Sequence, residues 1–381
     1  MSNRRKHILI ISGPMGSGHV KAAEAIAKWA KKEYPSDKYK ITNINSADLM
    51  WQFYRRFYER FYNFLVNYLP LGWAMIYHRN DDPEQSHLGQ SFRAAVRRFT
   101  VRKLPKVVQR LAPDYIICTH FLPAEILNYE KAKDRLDVPV ASVVTDFSLN
   151  RIYVQSQLEH FFVASRELKF RLELEGIEPA KVHVTGIPVL PEFEQEFSKK
   201  QIKALKDELG LPQKKMIVML MMGGESKGKL EKLTRHLLER YPDDAFLVML
   251  GKNKQVLEKL EELQPDYPQS LFPVGYTTEV WKYLAASNLV ISKPGGISTS
   301  ECLMMRKPMI IMYPIPGQEE RNADYLLERN VVAKAYDEPS LYYKDIMLRS
   351  ERLEYMIQQI EKVRKPNAAM NILKTVVGPP E

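Results

Sequence analysis

The chain has 381 residues, 45% of them hydrophobic and 27% charged, a balance that excludes a disordered chain and leaves sequence enough for two cores. The formal net charge of +10 is unevenly spread: residues 1–190 hold 28 Lys and Arg against 19 Asp and Glu, and the remainder is nearly balanced. Two cysteines in separate apolar contexts, Cys118 and Cys302, argue against a disulfide framework or a cysteine metal site and imply a reducing cytosol.

The basic N-terminus (Arg4, Arg5, Lys6) precedes an apolar run of only Ile8–Ile11, too short for a signal peptide, and no stretch reaches the ~20 residues of a membrane span. The first apolar run, His7–Ser12, leads into Gly13-Pro14-Met15-Gly16-Ser17-Gly18-His19-Val20 and then an Ala-rich amphipathic stretch to Tyr34. Gly13 and Gly18 have P-loop spacing, but His19 and Val20 stand where that loop needs its lysine and its hydroxyl, which argues against an NTPase. The loop is not a clean G-x-G-x-x-G dinucleotide pattern either. What remains is a glycine turn that sets His19 on the first turn of a helix, at the carboxyl end of a strand, where doubly wound domains present catalytic groups. The structural alternative is a histidine that caps its own helix.

Residues 51–77 contain 11 aromatics, with Phe53, Phe57, Phe61, Phe64 and Tyr68 at three- and four-residue spacing and Arg56 and Arg60 on the other side, the pattern of an amphipathic helix. A second helix is expected through Arg93, Arg97, Arg98, Arg102, Lys106 and Arg110. Together they predict an interfacial pair, with aromatics among lipid headgroups and arginines drawing anionic membrane lipids. Packing of the aromatic face on the domain's own sheet is the alternative. Nucleic acid is not expected as a partner, since no helix-turn-helix, zinc or RNP-type motif accompanies the basic surface.

Apolar and amphipathic segments then alternate (Tyr115–Thr119, Ala124–Lys133, Val138–Val144, His160–Ala164, Glu167–Glu175, Val182–Thr185), as in a parallel sheet covered by helices. The alternation restarts after Gly186-Ile187-Pro188-Val189 with Met216–Met221, Ser226–Tyr241, Ala245–Leu250, Leu271–Val274, Leu289–Ile291 and Met309–Met312. Residues 1–190 and 200–360 are therefore expected to form two doubly wound domains joined through Pro188–Leu211, with 361–381 a tail whose end, Ala368–Glu381, frays.

The most informative segment runs from Ile291 to Asn322. A short strand meets Pro294-Gly295-Gly296, then a helix start with Ser298, Thr299 and Ser300, and Glu301 follows. Glycines let the backbone approach an anion, and the free N–H groups of the helix end face it. A carboxylate one turn inside suits two ribose hydroxyls, and Gln318, Glu319 and Asn322 after the next strand suit a second polyol. Phosphate, ribose and sugar in that order suggest a nucleotide-sugar site.

The GxGH loop, Val144-Thr145-Asp146-Phe147, Gly186-Ile187-Pro188-Val189, Met222-Gly223-Gly224, Gly251-Lys252-Asn253, Val274-Gly275-Tyr276, Lys293-Pro294-Gly295-Gly296 and Pro316-Gly317-Gln318-Glu319 occur in this order. This set resembles the processive diacylglycerol glucosyltransferases of Gram-positive bacteria and the plant monogalactosyldiacylglycerol synthases, family 28 glycosyltransferases of the GT-B fold, over nearly the whole chain. The resemblance is more remote to the GlcNAc transferase that completes the lipid-linked peptidoglycan precursor. It implies an α/β architecture of two Rossmann-like domains facing each other across a cleft. The donor would bind the second domain and a lipid acceptor the first, at the cytoplasmic membrane face.

The resemblance further implies that Gly223 and Gly224 approach the donor diphosphate or sugar and Tyr276 borders the uracil. Gly295, Gly296, Ser298 and Thr299 would hold the diphosphate, Glu301 the ribose, and Gln318, Glu319 and Asn322 the hexose. Gly18, Phe57, Phe61, Arg56, Arg60, Arg97 and Arg98 would face the acceptor and membrane. Partners on this reading are a UDP-hexose, by default UDP-glucose, diacylglycerol and anionic lipids. An inverting transfer needs a base, for which His19 is first choice, Asp146 the alternative or the group that orients His19, and His120 a third candidate. No DxD-type carboxylate pair stands between strands, so neither a metal nor a cofactor is expected, and the backbone and helix end would stabilise the leaving diphosphate. Rival readings are GlcNAc transfer to an undecaprenyl-linked precursor, a UDP-GlcNAc 2-epimerase and a non-catalytic UDP-sugar sensor.

Overall fold

The computed structural model describes residues 4–14, 16–50, 103–222, 229–335 and 350–380, together with Phe64, Leu69, Gly72, Ala74 and Met75. Two parallel sheets dominate it. Strands β1 (Lys6–Ser12), β2 (Tyr39–Asn45), β3 (Tyr115–Cys118), β4 (Val140–Val143), β5 (His160–Val163) and β6 (Val182–Val184) pair in the order β2-β1-β3-β4-β5-β6. Strands β7 (Ile217–Met221), β8 (Ala245–Gly251), β9 (Leu271–Gly275), β10 (Leu289–Ser292), β11 (Met309–Ile311) and β12 (Val332–Lys334) pair in the order β12-β11-β10-β7-β8-β9. Helices α1 (Ser17–Glu33), α2 (Leu104–Leu111), α3 (Phe121–Lys131) and α4 (Arg166–Leu174) cover the first sheet. The second carries α5 (Lys199–Glu208), α6 (Lys229–Arg240), α7 (Lys254–Leu263), α8 (Val280–Ala286), α9 (Gly296–Met304) and α10 (Gln318–Glu328). Helices α11 (Ser350–Val363) and α12 (Ala368–Val377) close the chain.

The central strands are continuous apolar runs because both of their faces are covered: Ile8, Leu9, Ile10 and Ile11 of β1, and Val218, Met219 and Leu220 of β7, are wholly buried. Strands β2 and β12 lay outside the apolar runs read from the sequence. The first is a half-polar edge strand, Tyr-Lys-Ile-Thr-Asn-Ile-Asn, and the second has three residues, so neither carries the buried-strand signal. The connection Pro188–Leu211 is not all linker. Ser198 and Gln201 form a reciprocal capping box that starts α5. Lys282 of α8 reaches Glu208 at 2.7 Å, and Phe197 stacks on Trp281, so the second domain begins inside that stretch.

The expected fraying tail is corrected by the structure. After α11 the chain crosses back, with Asn367 N–H donating to Glu194 Oε2 at 2.8 Å beside the first crossing. Helix α12 then buries Ala369, Ile372 and Leu373 against Ile8, Ile10, Ala23 and Ile26. Tyr34 Oη donates to Gly378 O at 2.7 Å and pins its end. The sequence Ala-Ala-Met-Asn-Ile-Leu-Lys-Thr-Val-Val has an apolar stripe at helical spacing, and the stripe belongs to the first domain's core. Leu373→Ala is expected to destabilise the protein by about 2–5 kcal/mol through lost burial and a residual cavity, read by denaturant unfolding. A change within experimental error would mean that α12 is not part of that core.

Candidate active site

Each sheet reverses its winding at one place, and ligands of doubly wound sheets bind at the carboxyl ends of the strands there. In the first sheet the reversal lies between β1 and β3, in the second between β7 and β10. The GxGH loop leaves β1, and the Pro294-Gly295-Gly296 turn leaves β10. These two turns meet across the domain seam. A Cβ on Gly18, at the start of α1, would lie 3.4 Å from Ile297 Cγ1 at the start of α9.

His19 is held by the first domain alone. Its Nδ1 lies 2.8 Å from Thr119 O and 2.7 Å from Thr145 Oγ1, while Thr119 Oγ1 donates back to His19 O at 2.8 Å. A carbonyl only accepts, so this network assigns the proton to Nδ1 and leaves the Nε2 lone pair as the basic site. Burial lowers the His19 pKa below 6.5, against the opposing effects of the Asp146 charge and the Thr119 carbonyl. His19 is therefore a neutral base at neutral pH.

His120, the third candidate, has another task. It is the N-cap of α3, its Nδ1 accepting the Leu122 N–H at 3.1 Å. The ring stacks on Phe121 and stands edge-on to His19 with centroids 4.5 Å apart. Burial and the neighbouring His19 push its pKa well down. Capping, considered for His19, is what His120 does. The ring also explains Gly13, where a Cβ would fall 2.0 Å from His120 Cγ. That glycine makes room for a histidine.

Asp146 is buried at the seam, and its partners come from the second domain. Gln318 Nε2 donates to Oδ2 at 2.7 Å and Asn322 Nδ2 to Oδ1 at 3.1 Å. Burial raises the Asp146 pKa, while His19 and these two amides pull it down. The groups that hydrogen-bond the His19 ring are the Thr119 backbone carbonyl and the Thr145 hydroxyl, so Asp146 is not the group that orients it.

On α9 the Ser298 hydroxyl donates to Gly295 O at 3.2 Å, and no side chain caps the helix, whose first N–H groups face the seam. Thr299 Oγ1 and Glu301 Oε2 are buried without a hydrogen-bond partner. Lys21 of α1 lies 3.7 Å from the other oxygen, Glu301 Oε1, across the seam. Burial raises the Glu301 pKa, with Lys21 opposing. Orphaned buried oxygens beside an uncapped helix start are what a polyhydroxy anion would satisfy. Tyr276 follows β9 and is exposed, with Lys252 Nζ 5.4 Å from its ring centre.

Two expectations change. Asn322, assigned to the hexose, is wholly buried, with both amide hydrogens committed to Asp146 Oδ1 and Pro294 O and its oxygen accepting Phe147 N–H at 2.9 Å. Gly296, assigned to the diphosphate, packs directly on the first domain: a Cβ there would lie 1.9 Å from Thr145 O. Gly18 likewise faces α9. Glu319 Oε2 accepts the Ile315 N–H at 2.7 Å and closes its own loop. Gly223, Gly224, Phe57, Phe61, Arg56, Arg60, Arg97 and Arg98 lie outside the described residues. Reading the sequence missed Thr119, Thr145 and Lys21. Thr145 stands beside Asp146 in a segment already singled out, but its contact with His19 spans 126 positions.

Residues 19–189 match the family described as monogalactosyldiacylglycerol (MGDG) synthase. Processive diacylglycerol beta-glucosyltransferases from Bacillus pumilus and Bacillus licheniformis are 25% and 26% identical, each covering 98% of this chain and 95% of the relative. Over nearly its whole length this chain is similar to diacylglycerol glucosyltransferases. Among solved structures, the UDP-GlcNAc 2-epimerase from Neisseria meningitidis bound to UDP-GlcNAc superposes with a TM-score of 0.62 at 15% identity, covering 97% of this chain and 99% of the other. Acinetobacter baumannii MurG gives 0.60 at 13% identity with the same coverages. These likenesses show the fold, which is GT-B.

Gly296→Ala is expected to force the Thr145 carbonyl away and part the domains, seen as a larger radius of gyration in solution scattering and a lower Tm. Wild-type scattering and Tm would mean that the seam tolerates the extra carbon.

Proposed function

We propose that this protein is an inverting hexosyltransferase that moves a hexose, by default glucose, from a UDP-sugar to diacylglycerol at the cytoplasmic face of the membrane. The observation that carries the reading is the convergence, in one seam, of a neutral histidine with a free Nε2 and a helix start whose neighbours Thr299 and Glu301 hold unpartnered oxygens. A base and an anion-polyol site at one place are the parts a glycosyl transfer needs. Relatives along nearly the whole chain named as diacylglycerol glucosyltransferases support the substrate class.

On this reading His19 Nε2 takes the proton of the acceptor hydroxyl as the hydroxyl oxygen attacks C1 and the bond from C1 to the diphosphate breaks. Asp146 stabilises the imidazolium that forms. The negative charge on the departing diphosphate is met by the N–H groups and positive end of α9, with Ser298 and Thr299 alongside. Glu301 takes ribose hydroxyls, Tyr276 borders the base, and Gln318 and Glu319 lie nearest the hexose. No metal or other cofactor takes part in the proposed transfer. Among the described residues no helix is long and apolar enough to cross a membrane. Attachment is therefore assigned to the aromatic and basic segment containing Phe57, Phe61, Arg56, Arg60, Arg97 and Arg98, through anionic lipid.

Incubating the protein with UDP-glucose or UDP-galactose and diacylglycerol vesicles should yield a β-linked glycosyldiacylglycerol. No new glycolipid from either donor would overturn the proposal. His19→Ala and Asp146→Asn should each lower turnover by ~10² or more with UDP affinity retained, and Glu301→Ala should weaken UDP binding. Because burial lowers the His19 pKa and the base acts when neutral, kcat/KM should rise with pH through a limb below 6.5 and be level at neutrality. A limb above 6.5 would remove His19 from the base role.

A further inference from the structure

Three consecutive residues after β4 are gripped by the other domain. The Thr145 carbonyl occupies the space a side chain on Gly296 would need. The Asp146 carboxylate takes amide hydrogens from Gln318 and Asn322 on α10. Phe147 N–H donates to Asn322 Oδ1, and its ring stacks on Tyr325, one helical turn further along, with centroids 5.2 Å apart. Asn322 is the hub, joining Asp146, Phe147 and Pro294 through a single wholly buried amide. An amide with all three polar bonds committed inside the protein has little left for a sugar hydroxyl, yet a buried polar hub is costly to keep unless its geometry matters.

We propose that Asn322 is a positioning residue: from the donor domain it orients the Asp146 carboxylate of the acceptor domain toward His19, so that the carboxylate and histidine are set together only when the two domains are closed. The proposal rests on the reading of His19 and Asp146 given above and extends it. His19 keeps its own ring fixed through Thr119 and Thr145, both in the first domain, and so is ready whether the domains are open or shut. Asp146 has its side-chain partners on α10 and loses them when the seam opens. The pairing of carboxylate and imidazole thereby becomes conditional on closure. Beside Asp146 the titratable groups are His19, from α1, and behind it His120 at the start of α3; α10 contributes the neutral amides Gln318 and Asn322.

The test uses the full chain saturated with UDP and follows the His19 imidazole by NMR titration, a readout that needs no transfer activity. Asp146→Asn should lower the His19 pKa, because the Asp146 charge raises it. Asn322→Ala should move it in the same direction, whereas Tyr325→Leu, which removes only the ring stack, should leave it in place. A wild-type titration in Asn322→Ala beside a shifted one in Asp146→Asn would overturn the proposal. In turnover, Asn322→Ala should lower kcat by about tenfold or more with the KM for the UDP-sugar little changed. A raised KM with kcat retained would make Asn322 a donor contact instead.

Should Asn322→Ala fold poorly, the exchange Asn322→Asp with Asp146→Asn keeps the hydrogen bond with its polarity reversed. It gives up the bond to Pro294 O, so it should recover only part of the Tm lost in Asn322→Ala, while turnover stays at the Asp146→Asn level. Turnover within a few-fold of wild type would show that only the link between the domains matters. A wild-type protein that makes no glycolipid would overturn the proposed function and leave the titration result standing by itself.

Discussion

The contact on which the rest of the site depends is the insertion of the Thr145 carbonyl beside Gly296. It brings the carboxyl end of β4 against the start of α9, and the candidate site residues gather around that point. Thr145 extends its hydroxyl to His19, and its neighbours Asp146 and Phe147 hold α10. Two helix N-termini, those of α1 and α9, converge on the same seam. Their partial positive charges add, and Lys21 adds a full one, so the seam favours an anion between the domains. Glu301 offsets part of that field, with one oxygen near Lys21 and the other unpartnered.

The two histidines show how environment divides a shared chemistry. Both follow strands of the first sheet next to its reversal point, and their rings touch. Nδ1 of His120 accepts a backbone N–H and is spent on capping, whereas Nδ1 of His19 donates to a backbone carbonyl, which leaves Nε2 basic. A single difference in hydrogen-bond polarity at Nδ1 separates a capping ring from one whose Nε2 stays basic.

The glycines divide in a similar way. Gly13 and Gly296 lie in turns that suggest anion binding by spacing, and each has a protein neighbour where its side chain would be: the His120 ring and the Thr145 carbonyl. At these two positions the glycines serve close packing of chain against chain, while the start of α9 has no side-chain cap. The backbone of α9 can serve both packing and an anion, because a helix start presents N–H groups on one side while its first residues pack on another.

The sequence by itself determined the alternating architecture, and it picked out the Pro294-Gly295-Gly296 turn with Glu301, because buried parallel strands and helix starts leave local signals in apolar runs, glycines and hydroxyls. It also singled out His19 and Asp146, since both stand at strand ends in short conspicuous segments. It missed β2 and β12, whose edge positions and short length remove the apolar run. Only the tertiary structure decided that α12 belongs to the first domain, that His120 caps while His19 stays free, and that Asn322 serves Asp146. The first and last rest on contacts between residues well over a hundred positions apart, and the state of His19 on its bond to Thr119, a hundred positions along, although the His120 cap itself is local. The identity of a hydrogen-bond partner at that separation is set by how two sheets meet, a quantity that no local pattern of residues encodes.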